Sequence, residues 1–74
     1  MEIDESKYFV LELGGGAARV ASMRVYKTWV IANYDRQSSL HCPNITKEEA
    51  RAFIKIMGFK DYTDRWESAH MMKL

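Results

Sequence analysis

The sequence predicts an α+β fold: a small antiparallel β-meander of three to four strands, packed on one face by a capped α-helix over residues 46–57. Three observations predict it. A strand-like run ends at three consecutive glycines, a long extended region follows, and a helix with a marked beginning and end comes after that. The chain has 74 residues, so we expect one domain spanning residues 1–74.

The first predicted strand covers residues 7–13, which are rich in β-branched and aromatic side chains. Its alternating side chains form two rows, Phe9-Leu11-Leu13 and Tyr8-Val10-Glu12. Glycine tolerates positive φ, so Gly14 to Gly16 predict a turn between antiparallel strands.

Residues 20–35 form the second extended region, which is too long for one ordinary strand of about 5 to 6 residues. We interpret it as two strands, at about 19–26 and 28–34, that break near Lys27-Thr28. Lys-Thr is poor turn material, so one long bent strand with a bulge is the alternative. Leu40 to Cys42 predict a short edge strand, because Pro43 cannot donate to a strand ladder.

The helix over residues 46–57 has the most complete signals. Thr46 and Glu49 match the capping-box pattern, and Gly58 stands where a left-handed residue ends a helix. The apolar stripe has helical spacing: Ala50, Phe53, Ile54 and Met57. A second, short helix is predicted over residues 61–71, capped by Asp61 or Thr63, and it persists only if Trp66 docks on the sheet or on a partner.

One helix covers only one face of a sheet. The predicted core consists of Phe9, Leu11, Met23, Val25, Trp29, Ile31, Phe53, Ile54 and Met57. The second face is then too apolar to be exposed only to solvent. It carries Tyr8, Val10, Arg24, Tyr26, Val30 and Tyr34. We expect either the C-terminal segment around Trp66 or another chain to cover it.

These considerations favour a non-enzymatic protein-interaction module of the inhibitor or adaptor type, acting by occupying a partner's surface, with a homodimer as one form of that partner. The predicted partner-binding residues combine aromatic and arginine side chains as interfaces do: Tyr8, Val10, Arg24, Tyr26, Tyr34, Arg36 and Trp66. A short chain beginning at Met1 is also in the style of phage or mobile-element regulators, by analogy of size alone.

The alternative is a small nucleic-acid-binding regulator that uses a basic and aromatic sheet face. Arg24 and Tyr26 share a face in the strand interpretation, and such faces combine base stacking with phosphate contacts. Eleven basic and ten acidic residues nearly balance, which does not favour this alternative.

Catalysis, cofactors and metals are not expected. The spacing of Gly14 to Gly16 matches neither of the two phosphate-binding loop patterns, GxGxxG and GxxxxGK(S/T). A nucleotide site is therefore not predicted. His41, Cys42 and His70 are too few for a structural zinc site, and a Cys42–His70 catalytic pair is disfavoured in so small a domain. The single cysteine, the acidic N-terminus and the lack of a long apolar run predict a cytoplasmic protein with no membrane segment.

Overall fold

The computed structural model describes the backbone of residues 3–71 and the side chains of residues 3–69. The predicted α+β class is confirmed. In chain order the elements are β1 (Tyr8–Gly14), β2 (Ala17–Ser22), a 3₁₀ helix (Met23–Val25), α1 (Tyr26–Ala32), a second 3₁₀ helix (Tyr34–Ser39), β3 (Leu40–Ile45), α2 (Lys47–Ile56), β4 (Lys60–Asp61) and α3 (Thr63–Met71).

The sheet has four strands in the order β3-β1-β2-β4. β1 is antiparallel to both of its neighbours, and the two-residue β4 is parallel to β2. The predicted glycine turn joins β1 to β2, with φ values of 84°, 63° and 77° at Gly14, Gly15 and Gly16. The strand order differs from the predicted meander, because β3 returns to the free side of β1 instead of pairing beyond β2.

The predicted strands at 19–26 and 28–34 are wrong beyond Ser22. The backbone turns helical at Met23, where the Ser22 hydroxyl accepts a hydrogen bond from the Arg24 N–H at 3.2 Å. Residues 26–32 are rich in β-branched and aromatic side chains, which favour strands only weakly. Helical spacing places Met23, Tyr26 and Trp29 against the sheet, and this packing outweighs the local preference.

Both faces of the sheet are covered. On one face α2 packs against the strands, in a cluster that we call the α2-side core: Val10, Ala18, Val20, Ala50 and Ile54. On the other face the α1 layer, residues 23–39, closes the α1-side core: Phe9, Leu11, Ala21 and Met23, with Tyr26, Trp29 and Leu40 packed against it. The predicted helix therefore covers the Val10 face, the opposite face from the one expected.

The predicted core is correct in part. Phe9, Leu11, Met23 and Ile54 are buried, and Trp29 and Phe53 are partly buried. The other three predicted core residues are exposed: Val25 (43%), Ile31 (70%) and Met57 (55%). The first two belong to the helical layer, where alternation no longer decides which side chain faces inward.

The predicted helix α2 is confirmed, together with its cap. Thr46 Oγ1 accepts from the Glu49 N–H at 3.1 Å, and Glu49 Oε1 accepts from the Thr46 N–H at 2.9 Å. These hydrogen bonds from Thr46 hold the pKa of the Glu49 carboxyl below its ordinary value. Gly58 ends the helix with φ 77°, as its position predicted.

The C-terminal helix α3 is also confirmed, and it contacts β2. Asp61, one of the two predicted caps, accepts the Thr63 N–H at 2.8 Å. The other, Thr63, is fully buried, and its Oγ1 accepts the Val20 N–H at 2.9 Å. The Thr63 hydroxyl thereby satisfies a β2 backbone donor just beyond the end of β4.

Replacing Thr63 with valine is expected to lower the free energy of unfolding by about 1–3 kcal/mol, because the Val20 N–H then loses its acceptor in a buried place. Urea unfolding followed by circular dichroism measures the change. Thr63→Ser keeps the hydroxyl and should lose less. Valine keeps the threonine methyl group and lacks only the hydroxyl, so a loss in Thr63→Val no larger than that in Thr63→Ser would contradict the hydrogen-bond explanation.

The outer strand β3 has an irregular backbone. It contains Pro43, and Cys42 and Asn44 have positive φ values of 50° and 63°. In its pairing with β1, Ile45 lies opposite Tyr8 and His41 lies opposite Val10, and the register shifts between these two pairs. The predicted edge strand is thus present and three residues longer than expected. No helix in residues 3–71 is both long enough and apolar enough to cross a bilayer.

Candidate functional site

The predicted partner-binding residues do not lie on one surface. Val10 is fully buried in the α2-side core, so it cannot contact a partner, and its inclusion is wrong. Tyr8 is half-buried against the same core, with Lys47 Nζ 6.0 Å from its ring centroid. The alternation that grouped these two residues is correct, but α2 occupies their face of the sheet.

Tyr26 and Trp66 also have partners within the chain. The Tyr26 ring meets the Phe9 ring edge to face, with centroids 5.5 Å apart, which fixes α1 to the sheet. Trp66 is 36% exposed, and the guanidinium carbon of Arg19 lies 3.4 Å from its ring centroid. Trp66 therefore docks on the sheet, at Arg19 of β2, which is one of the two outcomes expected for it.

Arg19 is a buried cation. Only 7% of the residue is exposed, and its Nη1 donates to the Val20 carbonyl oxygen at 3.3 Å. Burial lowers the pKa of the Arg19 guanidinium, while the nearby charge of Glu67 opposes that shift. The stacked indole of Trp66 offsets part of the desolvation of this guanidinium, so we assign the pair a structural role.

The remaining predicted residues, Arg24, Tyr34 and Arg36, are exposed on the α1 layer. Val25, Lys27 and Ile31 are among the other exposed side chains of the same layer. Together they define what we call the α1 surface: Arg24, Val25, Lys27, Ile31, Tyr34 and Arg36. Its most exposed apolar members are Ile31, at 70%, and Tyr34, at 77%.

Helix geometry explains why this surface points outward. Tyr26 and Trp29 turn toward the sheet, where they pack against the α1-side core. Lys27 and Ile31 are four residues apart and share one helix face, on which both are exposed. The seven residues of α1 span only about 10 Å, so Arg24 and Arg36 lie beyond opposite ends of a short helix.

A cleft borders the α1 surface at each end. The cleft near the start of α1 has a volume of about 560 Å³, and its lining includes Arg24 and Lys27 together with Asp4 and Glu5. The cleft near its end has a volume of about 350 Å³ and is lined by Leu11, Trp29, Asn33 and Arg36 among others. Both are open surface depressions, which suit contact with side chains of a partner.

Two cations of the α2–α3 side are held in ion pairs. Lys47 Nζ lies 3.2 Å from a Glu67 oxygen, and Arg51 Nη2 lies 2.5 Å from a carboxylate oxygen of Asp64. That hydrogen bond raises the pKa of Arg51 and lowers the pKa of Asp64. Within the described part of the chain, Arg24, Lys27 and Arg36 take part in no ion pair.

The residues weighed for catalysis and metal binding are dispersed. His41 Nε2 lies 3.1 Å from Glu12 Oε1, and the His41 ring packs against Phe53 at 5.4 Å between centroids. Cys42 is partly exposed beside it, and the His70 side chain lies outside the described residues. Among the residues that the structure describes, no three His, Cys, Asp or Glu side chains form a group that could hold a metal ion.

No protein-family model, curated protein or solved structure matches this chain. The candidate site is therefore supported by its own geometry alone.

The sequence-based interpretation placed Val25 and Ile31 in the core and left Lys27 out of the predicted partner-binding residues. One signal could have identified all three as exposed: Lys27-Thr28 is unfavourable for a tight turn, whereas Met23, Tyr26 and Trp29 recur with the spacing of one helix face. In the helical pattern Ile31 falls away from that face. The strand interpretation placed it in the core because it shares odd-numbered alternation with Trp29.

Proposed function

We propose that this chain is a non-enzymatic protein-binding module that occupies a partner through its α1 surface, as an inhibitor or adaptor does. The observation that carries the proposal is the outward exposure of Ile31 and Tyr34 on a layer whose inner side is already packed on the sheet. Large apolar and aromatic side chains beside arginines are the residues that interfaces prefer. The lone cysteine is compatible with a partner in the cytoplasm.

This surface replaces the one that the sequence suggested. The uncovered sheet face on which the sequence-based hypothesis depended is absent from the described residues, because α2 and the α1 layer cover the two faces. The hypothesis of a binding module now rests on a helical layer, and Arg24, Tyr34 and Arg36 are the originally predicted residues that remain exposed within it.

Site-specific photo-crosslinking tests the proposal. A benzoylphenylalanine placed at Tyr34 should capture a defined protein in extracts of the producing cells, and excess unmodified chain should compete for it. The matched control places the same group at Ile56, which is 82% exposed on α2. Capture from Tyr34 alone is expected, and it should be lost in Ile31→Asp, an exposed change that leaves the core intact.

Equal capture from both positions, or no specific capture from Tyr34, would contradict binding through the α1 surface. If the captured protein is the chain itself, the module is a homodimer, which light scattering on the purified protein confirms independently. The crosslinked material should be sensitive to protease and resistant to nuclease.

Nucleic acid is the second candidate, favoured by Arg24, Lys27 and Arg36, which have no ion-pair partner in residues 3–69 and lie in the same layer as exposed Tyr34. A basic surface with an aromatic side chain suits phosphates and stacked bases. Retention on heparin and on short DNA and RNA, measured against salt, tests this candidate, since phosphate contacts weaken steeply as salt rises.

A further inference from the structure

We propose, on the basis of the function proposed above, that the partner of the α1 surface is a protein surface with an apolar centre and an acidic rim. The centre of the contact is Ile31 and Tyr34, and its rim is Arg24, Lys27 and Arg36.

The charge distribution supports an acidic partner. Residues 23–39 contain three cations and a single carboxylate, Asp35, so this layer has more positive charge than the net +1 of the whole chain. The remainder of the chain is therefore slightly acidic. Two of the three cations of α2, Lys47 and Arg51, are held in ion pairs with α3, whereas the cations of the α1 surface have no ion-pair partner within residues 3–69.

Their placement indicates what they can do. Arg24 and Lys27 border the cleft at the start of α1, and Arg36 borders the cleft after its end. Cations at both ends of a short apolar contact attract carboxylates on either side of it and orient the partner along the helix. Arginine can also hold a carboxylate with two parallel hydrogen bonds.

The surroundings favour an acidic protein over a nucleic acid. Asp4 and Glu5 form part of the cleft that Arg24 and Lys27 border, and Asp35 adjoins Tyr34. These carboxylates would repel duplex DNA, which carries one negative charge per about 1.7 Å of its axis. Discrete carboxylates on a protein can be placed to avoid them. Ile31 is aliphatic and 70% exposed. Burying it against apolar side chains lowers the free energy of the complex, whereas contact with phosphates does not.

The test is a charge reversal with a matched control. Arg24→Glu, Lys27→Glu and Arg36→Glu are combined in one variant, and Lys55→Glu, Lys60→Glu and Arg65→Glu in another. All six positions are exposed, and both variants change the net charge equally. Each carries the photo-crosslinker at Tyr34, and circular dichroism checks that each is folded.

The α1-surface variant is expected to lose capture of the crosslinked protein by roughly tenfold or more, and the control variant to retain it. Capture by the unmodified surface should also fall between about 0.1 M and 1 M salt, where the Debye length shrinks from about 10 Å to about 3 Å. Exchanging a partner glutamate beside the crosslinked position for lysine should restore part of the capture by the α1-surface variant.

Other outcomes separate the two proposals. Unchanged or improved capture after the α1-surface reversal, with Ile31→Asp still abolishing it, would overturn the acidic partner and leave the binding module standing. Capture that survives Ile31→Asp, or that is absent throughout, would overturn both. Nuclease-sensitive material that depends on the same cations would make the partner a nucleic acid and would likewise overturn this inference.

Discussion

Replacing Ile54 with alanine is expected to lower the free energy of unfolding by about 2–5 kcal/mol, while the same change at Ile56 should alter it by no more than about 0.5 kcal/mol. Ile54 is 1% exposed in the α2-side core, and Ile56 is 82% exposed on the same helix. Both substitutions change helix propensity alike, so their difference isolates the cost of the cavity.

The expected loss at Ile54 is large for so short a chain. Seventy-four residues at roughly 0.05–0.15 kcal/mol each give a total stability of about 4–11 kcal/mol. Urea unfolding followed by circular dichroism measures both variants under one set of conditions. Similar losses at Ile54 and Ile56 would mean that α2 does not place Ile54 against Val10 and Val20, contrary to the structure.

Replacing Phe9 with alanine is expected to cost about 3–5 kcal/mol, the second of the two largest effects. Phe9 is fully buried on the other face of the sheet, and its ring meets the Tyr26 ring at an interplanar angle of 88°. Its removal leaves a cavity between β1 and α1 and takes away an aromatic contact. The midpoint of thermal or urea unfolding reports the loss.

Ile31→Ala is the matched control for Phe9, because it distinguishes the helical layer from the strand interpretation. As a core residue of a strand, Ile31 would cost several kcal/mol to truncate. At 70% exposure on α1 it should cost no more than about 0.5 kcal/mol. A large loss at Ile31 would show that residues 26–32 pack in the way that their β-rich composition suggested.

The elements that the sequence predicted correctly are those whose signals are local. The capping box at Thr46, the stop at Gly58 and the glycine turn after β1 each depend on a few neighbouring residues, and the structure confirms all three. The α1 layer was missed because its composition favours strand and its helix is stabilised mainly by contacts with Phe9 and Leu11, which are distant in sequence.

The same reason explains the mixed outcome for the candidate site. Arg24, Tyr34 and Arg36 were predicted as contact residues and are exposed, although on a helical layer instead of a sheet face. Val10 was assigned to an open face because alternation alone cannot say which side of a sheet a later helix will cover. Which face α2 covers depends on the position of the end of β3, and no local sequence pattern predicts that position.

The irregular outer strand limits how another molecule can approach this one. Pro43 offers no N–H, and the left-handed residues on either side of it turn neighbouring carbonyl and amide groups out of line, so an incoming extended chain finds no regular ladder at β3. At the opposite border of the sheet, β4 is only two residues long. Fibril growth through edge-to-edge strand pairing is therefore disfavoured. A molecule that binds this chain would have to contact its side chains and not the backbone of a sheet edge.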